Sequence, residues 1–307
     1  TKKDMKENKN YNESNLETMA RMSDNFIDLT VTSPPYDGLR AYNGYSFPFE
    51  DIARELFRVT KQGGVVVWVV GDSTIKGSGV ANEGIVSTRL GLKGIPALAE
   101  ELQVARNLFL LEYTGGKLHI PTISTSKSVA LIQEAKAKGL QVSCSVAVHH
   151  LVLNDEKLEE FDTRFKVSPP LRSEADRLAL IEGVKNGTID MITSDHNPID
   201  IEHKKMDFDT AKSGTIGLES AFSALITILP VEMVIEKLIA GRTTFGIESP
   251  SITEGAKANL SLFNPEGKSN FSFDFIRSKS KNSAFIGTEI KGKVYGIVNQ
   301  NQLILNQ

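Results

Sequence analysis

Cysteine is almost absent from this sequence. The single one, Cys144, excludes an internal disulfide and a thiolate zinc cluster, and its apolar setting reads as a packed thiol. Neither sign of charge dominates: the formal net charge is -3 over 307 residues and the pI about 6.0, so no global basic field draws the chain to nucleic acid. Residues 1–78 carry 10 Lys and Arg against 11 Asp and Glu, which leaves 25 against 27 for the remainder; neither part is a basic module. No apolar run approaches the length of a membrane span, and no hydrophobic stretch follows the amino-terminal lysines, so no membrane association is expected and the expected compartment is the cytoplasm. Histidine is scarce as well: there are five, and no two stand in a His-x-His pair.

What is present is an ordinary globular composition, 40% hydrophobic with a mean hydropathy of -0.17, arranged as alternating strand and helix signals. Residues 1–15 are polar and aperiodic, the pattern of a frayed leader. Residues 16–22 fit a short helix, and 26–32 fit a strand broken at once by Ser33-Pro34-Pro35-Tyr36. Ile52, Leu56, Phe57 and Val59 fall at helical spacing over 49–60, with Gly63-Gly64 as the expected stop. The wholly apolar 65–70 predicts a strand buried on both faces. Further strands are expected at 117–125, 141–153 and 189–194, with helices at 97–111, 128–138 and 174–186 between or beside them. Two more helices are expected at 217–229 and 231–240.

The chemistry is best sought in Ile189-Asp-Met-Ile-Thr-Ser-Asp-His-Asn-Pro198. A short apolar strand ends there in polar residues, and in a (β/α) barrel such residues face the active site. Asp195 in that place can ligate a metal, or take a proton from metal-bound water and pass it on; an Asp capping the next helix is the bland alternative. His149-His150 looks like a metal pair, but adjacent residues on a strand point to opposite faces, which favours a packing role. Gly214 is either a turn glycine or part of a loop over a ligand.

Two resemblances attach to these residues. Thr32-Ser33-Pro34-Pro35-Tyr36, with its flanking strand, helix and Val65-Val-Val-Trp-Val-Val-Gly-Asp72, resembles the amino-group DNA methyltransferases. There Tyr36 would be the platform for a flipped base, and the Ser33 hydroxyl and Pro34 carbonyl would accept its amino hydrogens, with Pro34 and Pro35 stiffening the turn. The glycine-rich cofactor loop expected downstream is missing, so binding of S-adenosylmethionine is expected to be absent or very weak. Beyond residue 78, Ser-Asp195-His-Asn-Pro, the segment 79–96, Lys117-Leu-His-Ile-Pro-Thr-Ile-Ser-Thr125 and Ile252-Thr-Glu-Gly-Ala-Lys-Ala-Asn-Leu-Ser-Leu-Phe resemble the dihydroorotases of the amidohydrolase superfamily. So do 278–285 and 290–296.

The second resemblance implies zinc-activated hydrolysis of a cyclic amide in pyrimidine biosynthesis. It also exposes departures. The His-x-His part of the family is not found, Thr122 stands where a metal histidine is implied, Ser168 replaces a substrate-contacting Asn, and Ile199 replaces a substrate-contacting His. Gly214 matches a substrate loop, and Asp195 is left as at most a vestigial zinc ligand. The expectation is therefore an α/β chain in three parts: a partial Rossmann-like methyltransferase unit at 1–78, an incomplete amidohydrolase (β/α) barrel at 79–250 and a carboxy-terminal β module at 251–307. It is expected to be dihydroorotase-like and catalytically silent, with no cofactor in this form, and with a site-specific DNA methyltransferase fragment as the alternative. Expected partners are aspartate transcarbamoylase or a second copy pairing through open sheet edges, with nucleic acid only under the alternative.

Overall fold

The computed structural model describes residues 14–32, 49–68, 73–299 and 302–306. Ten strands occur among them: β1 (Ile27–Thr32), β2 (Thr60–Trp68), β3 (Ala81–Asn82), β4 (Gly94–Ile95), β5 (Leu118–Ile120), β6 (Val142–Ala147), β7 (Met191–Thr193), β8 (Asn259–Asn270), β9 (Glu289–Asn299) and β10 (Gln302–Leu305). Five of them form one parallel sheet in the order β1-β2-β5-β6-β7. Each new strand is added at the same edge, so the sheet is wound in one direction, as in a barrel, rather than outward from a central strand. Among the described residues it stays open, with β1 and β7 at its edges. The boundary expected near residue 78 falls between β2 and β5 of this one sheet.

The amphipathic helix Phe49–Val59 buries Ile52, Leu56 and Val59 against Met19 of the helix Asn15–Arg21. Phe57, which shares that apolar spacing, is 62% exposed. Arg58 ties the two helices, donating to the carbonyls of Met19 (2.7 Å) and Met22 (3.0 Å) and to Asp24 (2.8 Å). The expected glycine stop is not one. The chain passes from helix to strand at Thr60, and Gly63 and Gly64 lie within β2. A Cβ on Gly64 would stand 2.9 Å from the Asp28 carbonyl and 2.7 Å from Thr60 Cγ2. Glycine is thus where β1 approaches most closely, next to the register shift between Ile27 and Leu29.

The larger core lies where β5, β6 and β7 meet the helices Leu98–Thr114, Ser126–Ala137 and Glu174–Lys185, with Ile120, Ile132, Cys144, Val146, Leu180 and Ile189 at or near zero exposure. Thr125 caps the second of these helices through Ser128 N–H, and Ser173 caps the third through Asp176 N–H. Two strands are shorter than the apolar runs suggest. β5 stops at Ile120, because Pro121 has no N–H to donate and Thr122 turns to φ 53°. β6 stops at Ala147 and gives way to the short helix Val148–Val152. The expected helix over 217–229 is regular only at Ala221–Leu225. The carboxy-terminal strands form a separate antiparallel sheet, β10-β9-β8. No helix among the described residues is long and apolar enough to cross a membrane.

Candidate functional site

Because β5, β6 and β7 are parallel, their carboxy-terminal ends share one rim, and the residues singled out in the sequence collect there. Asp195 follows β7 in the left-handed region, at φ 43°, a conformation that Asp tolerates better than most residues. Thr122 follows β5 with the same hand, at φ 53°. For a β-branched residue this is a strained geometry, held here by its N–H donating to Ser145 Oγ at 3.2 Å.

Three loops build the rim around Asp195. His196 pairs with Thr215 in an isolated parallel bridge, and its Nδ1 accepts from the N–H groups of Gly217 and Leu218, both at 3.3 Å. Gly217 is required at this contact, since a Cβ would stand 2.3 Å from the Ser194 carbonyl. Asn282 then staples the loops together: its Nδ2 donates to the carbonyls of Asn197 (3.2 Å) and Gly214 (3.1 Å), and its Oδ1 accepts from Ile199 N–H at 3.2 Å. Gly214 N–H donates to the Lys166 carbonyl at 2.9 Å. This brings the segment that carries Ser168 to the same place, where Ser168 Oγ accepts from Lys76 Nζ at 3.2 Å. The structure thus gathers Ser168, Gly214 and the Asp195 loop into one neighbourhood. Ser33, Pro34, Pro35 and Tyr36 lie outside the described residues, as does most of the polar leader.

The histidine pair departs from its expected geometry. It sits in the short helix after β6 rather than on a strand, and the two rings face one another with centroids 4.4 Å apart. His150 Nε2 reaches the carbonyls of Pro169 (3.1 Å) and Pro170 (3.2 Å) and clamps the Ser168 loop; burial lowers its pKa to about 4. His149 is fully buried, neither ring nitrogen has a hydrogen-bond partner, and Nε2 lies 3.8 Å from Asp195 Oδ2. Burial, then the neighbouring His150, holds its pKa well below the ordinary value, while burial raises that of Asp195. The pair is thus a neutral imidazole facing a carboxyl that holds its proton more tightly than usual. His119 is packed: its ring bonds to Ser143 Oγ at 2.8 Å, lies edge-on to Phe245, and is lowered by burial to about 4.

Sequence reasoning passed over two residues that hold this rim. Asn282 falls within the 278–285 stretch that resembles the dihydroorotases, but nothing in that stretch marks it as the residue that joins the loops. Arg172 is 3% exposed. It donates to Ser124 Oγ, Asn82 Oδ1 and the Ile95 carbonyl, each at 3.0 Å, with Glu100 at 3.9 Å. Glu100 in turn accepts from the N–H groups of Ser124 (2.8 Å) and Thr125 (3.2 Å) and from Ser128 Oγ (2.8 Å). A buried charge with so many partners is a structural hub, and both acid and base are fully engaged.

Zinc, which the dihydroorotase resemblance implies, needs three protein ligands for catalysis. Among the described residues no group of three His, Cys, Asp or Glu side chains could hold a metal ion. At the rim His149 Nε2 lies 3.8 Å from Asp195, and Thr122 offers a hydroxyl. These residues do not fit a catalytic zinc ion.

The fold of this chain is shared with solved hydantoinase and dihydropyrimidinase structures. The dihydropyrimidinase of Brevibacillus agri NCHU1002 superposes on 96% of this chain with a TM-score of 0.77, at 19% identity and over 68% of its own length. The L-hydantoinase of Arthrobacter aurescens superposes on 91% of it with a TM-score of 0.74, at 21% identity and over 64% of its own length.

By sequence, the similarity is to dihydroorotases and covers most of the chain. That of Pelotomaculum thermopropionicum is 39% identical over 250 residues, 79% of this chain and 58% of the relative. That of Thermoanaerobacter sp. is 43% identical over 230 residues, 73% of this chain and 53% of the relative. The chain therefore spans somewhat more than half the length of the curated relatives it matches. No family model matches it. None of these relatives is a methyltransferase, and they lend no support to the methyltransferase unit expected at 1–78.

Proposed function

We propose that this chain is a dihydroorotase-like protein that retains the substrate rim of a cyclic amide hydrolase and is catalytically silent on its own. The observation that supports this most directly is at the end of β5. Position 122, where the resemblance implies a metal imidazole, presents a threonine, while Asp195 on the same rim faces one buried, neutral imidazole at 3.8 Å. One carboxylate and one distant imidazole fall short of the ligand set that activates a water.

The test is purification followed by elemental analysis and a dihydroorotate hydrolysis assay with zinc supplied. Less than stoichiometric zinc and no turnover above background are expected; about one tightly held zinc per chain together with turnover would overturn the proposal. The same reading makes aspartate transcarbamoylase the first partner to test, by co-elution of its catalytic subunit on size exclusion. Absence of co-elution removes that partner without touching the silence of the site. A titration with S-adenosylmethionine is expected to show no saturable binding.

A further inference from the structure

Residues 199–214 form a strap whose two feet stand at the rim, where Asn282 accepts from Ile199 N–H and donates to the Gly214 carbonyl. Between the feet, Phe208 is buried in a small cluster with Ala81 and Leu158. The other attachment is a reciprocal clamp of two lysines. Lys204 of the strap donates to the carbonyls of Thr163 (2.8 Å) and Lys166 (3.2 Å). Lys166 donates back to the strap, at the carbonyls of Phe208 (2.6 Å) and Asp209 (3.0 Å). Thr163 Oγ1 completes the clamp by donating to the Lys204 carbonyl at 2.6 Å. Lys204 is 3% exposed and Lys166 6%. Among the described residues neither ammonium makes an ion pair: every partner of the clamp is a backbone carbonyl.

We infer that the strap is a proton-responsive cover at the rim: it docks more tightly on residues 163–168 when the clamp sheds positive charge, and opens more often when both lysines are charged. Two like charges taken out of water without a carboxylate in contact favour the neutral amine. A neutral Lys204 still has two N–H groups, enough for the two carbonyls it serves. Few charges face the clamp to oppose this. Asp162 lies near Lys204 but is engaged by Arg164 at 2.7 Å, Asp209 lies near Lys166, and Lys76 stands behind Lys166 as a third cation. His203, next in the chain, is bonded to Asp200 at 2.7 Å. Burial, then Lys166, lowers the Lys204 pKa to about 8, and burial lowers that of Lys166. An undocked Lys204 in water titrates near its ordinary value of about 10.4. The open strap therefore binds more protons than the docked one, and docking gains as the pH rises from 8 towards 10. This property belongs to the strap and holds whether or not the rim is catalytic.

The experiment is hydrogen exchange of the whole chain from pH 7 to 9, read by mass spectrometry on peptides from the strap and from the helix Glu174–Lys185. Dividing each rate by the intrinsic rate at that pH gives an opening constant. The strap is expected to open more often than the helix, and its opening constant to fall about tenfold from pH 7 to pH 9, mostly above pH 8. Lys204→Met, uncharged at every pH, should abolish that fall, and Lys204→Arg, charged at every pH, should abolish it too. Lys212→Met, at an exposed lysine of the same strap, should leave the tenfold fall in place. A wild-type opening constant that is flat or rises with pH, a tenfold fall that persists in Lys204→Met, or a strap that opens no more often than the helix would overturn the inference. Should Lys204→Met fail to fold, the wild-type profile alone decides.

Discussion

Acidification should unfold this protein through histidines that never reach solvent. In the folded state burial holds His119 and His150 at about 4, whereas an unfolded histidine titrates near 6.5. Each native imidazole therefore binds fewer protons than its unfolded counterpart below that value, and stability falls as the pH falls. The loss begins below about pH 6.5 and is complete below about 4. At pH 5 linkage gives roughly 2 kcal/mol for each of the two groups relative to pH 8, about 4 kcal/mol together, a large share of a typical 5–15 kcal/mol. His149 is lowered as well and acts in the same direction. Asp195, raised by burial, acts oppositely: its native carboxyl binds a proton more readily than the unfolded one, which offsets part of the loss on acidification. Urea unfolding followed by circular dichroism at pH 8, 7, 6 and 5 measures the sum. His119→Gln should remove about half of the two-histidine slope. An unfolding free energy that is flat to within about 0.5 kcal/mol from pH 8 to 5 would refute the reasoning, since it would require these rings to take up protons inside the fold.

Three further outcomes follow from the same coordinates. Arg172→Met should destabilise the chain by about 3–5 kcal/mol in denaturant melts, because it leaves the buried Glu100 carboxylate without its cation and the Asn82 and Ser124 acceptors unfilled. Thr122→Asn should raise stability by about 1 kcal/mol, because Asn occupies the left-handed region with less strain than a β-branched residue and the Thr122 contact to Ser145 is made by the backbone N–H. Cys144, fully buried and pushed up to about 12 by that burial, should not react with a disulfide reagent in the native protein and should react at once in denaturant; rapid native labelling would show that the sheet opens locally.

Hydrophobic pattern made most of the elements legible. Val142, Cys144 and Val146 alternate with smaller polar residues and are buried in β6, and the helices expected at 128–138 and 174–186 are found at Ser126–Ala137 and Glu174–Lys185. The failures have identifiable causes. An apolar run does not say where it changes from strand to helix, so His149 and His150 were placed on opposite faces of a strand that had already ended. Glycine marks either a stop or a close approach, and at Gly64 only the nearness of the Asp28 carbonyl distinguishes them. Spacing groups Phe57 with Ile52, Leu56 and Val59, but only the packed chain shows that Phe57 is exposed while the other three are buried.

The sequence by itself determined the alternation of strands and helices, the position of Asp195 at a strand end and the scarcity of metal-ligating side chains, because periodicity and residue chemistry are local properties. Tertiary structure alone decided that β1 and β2 continue the sheet of β5 to β7, that Asn282 binds the loops around Asp195 from 85 residues away, and that Arg172 meets Glu100, Asn82 and Ser124 in the interior. Each of those contacts joins groups distant in the chain. Its free energy depends on burial and on hydrogen-bond geometry, which exist only once the chain has packed.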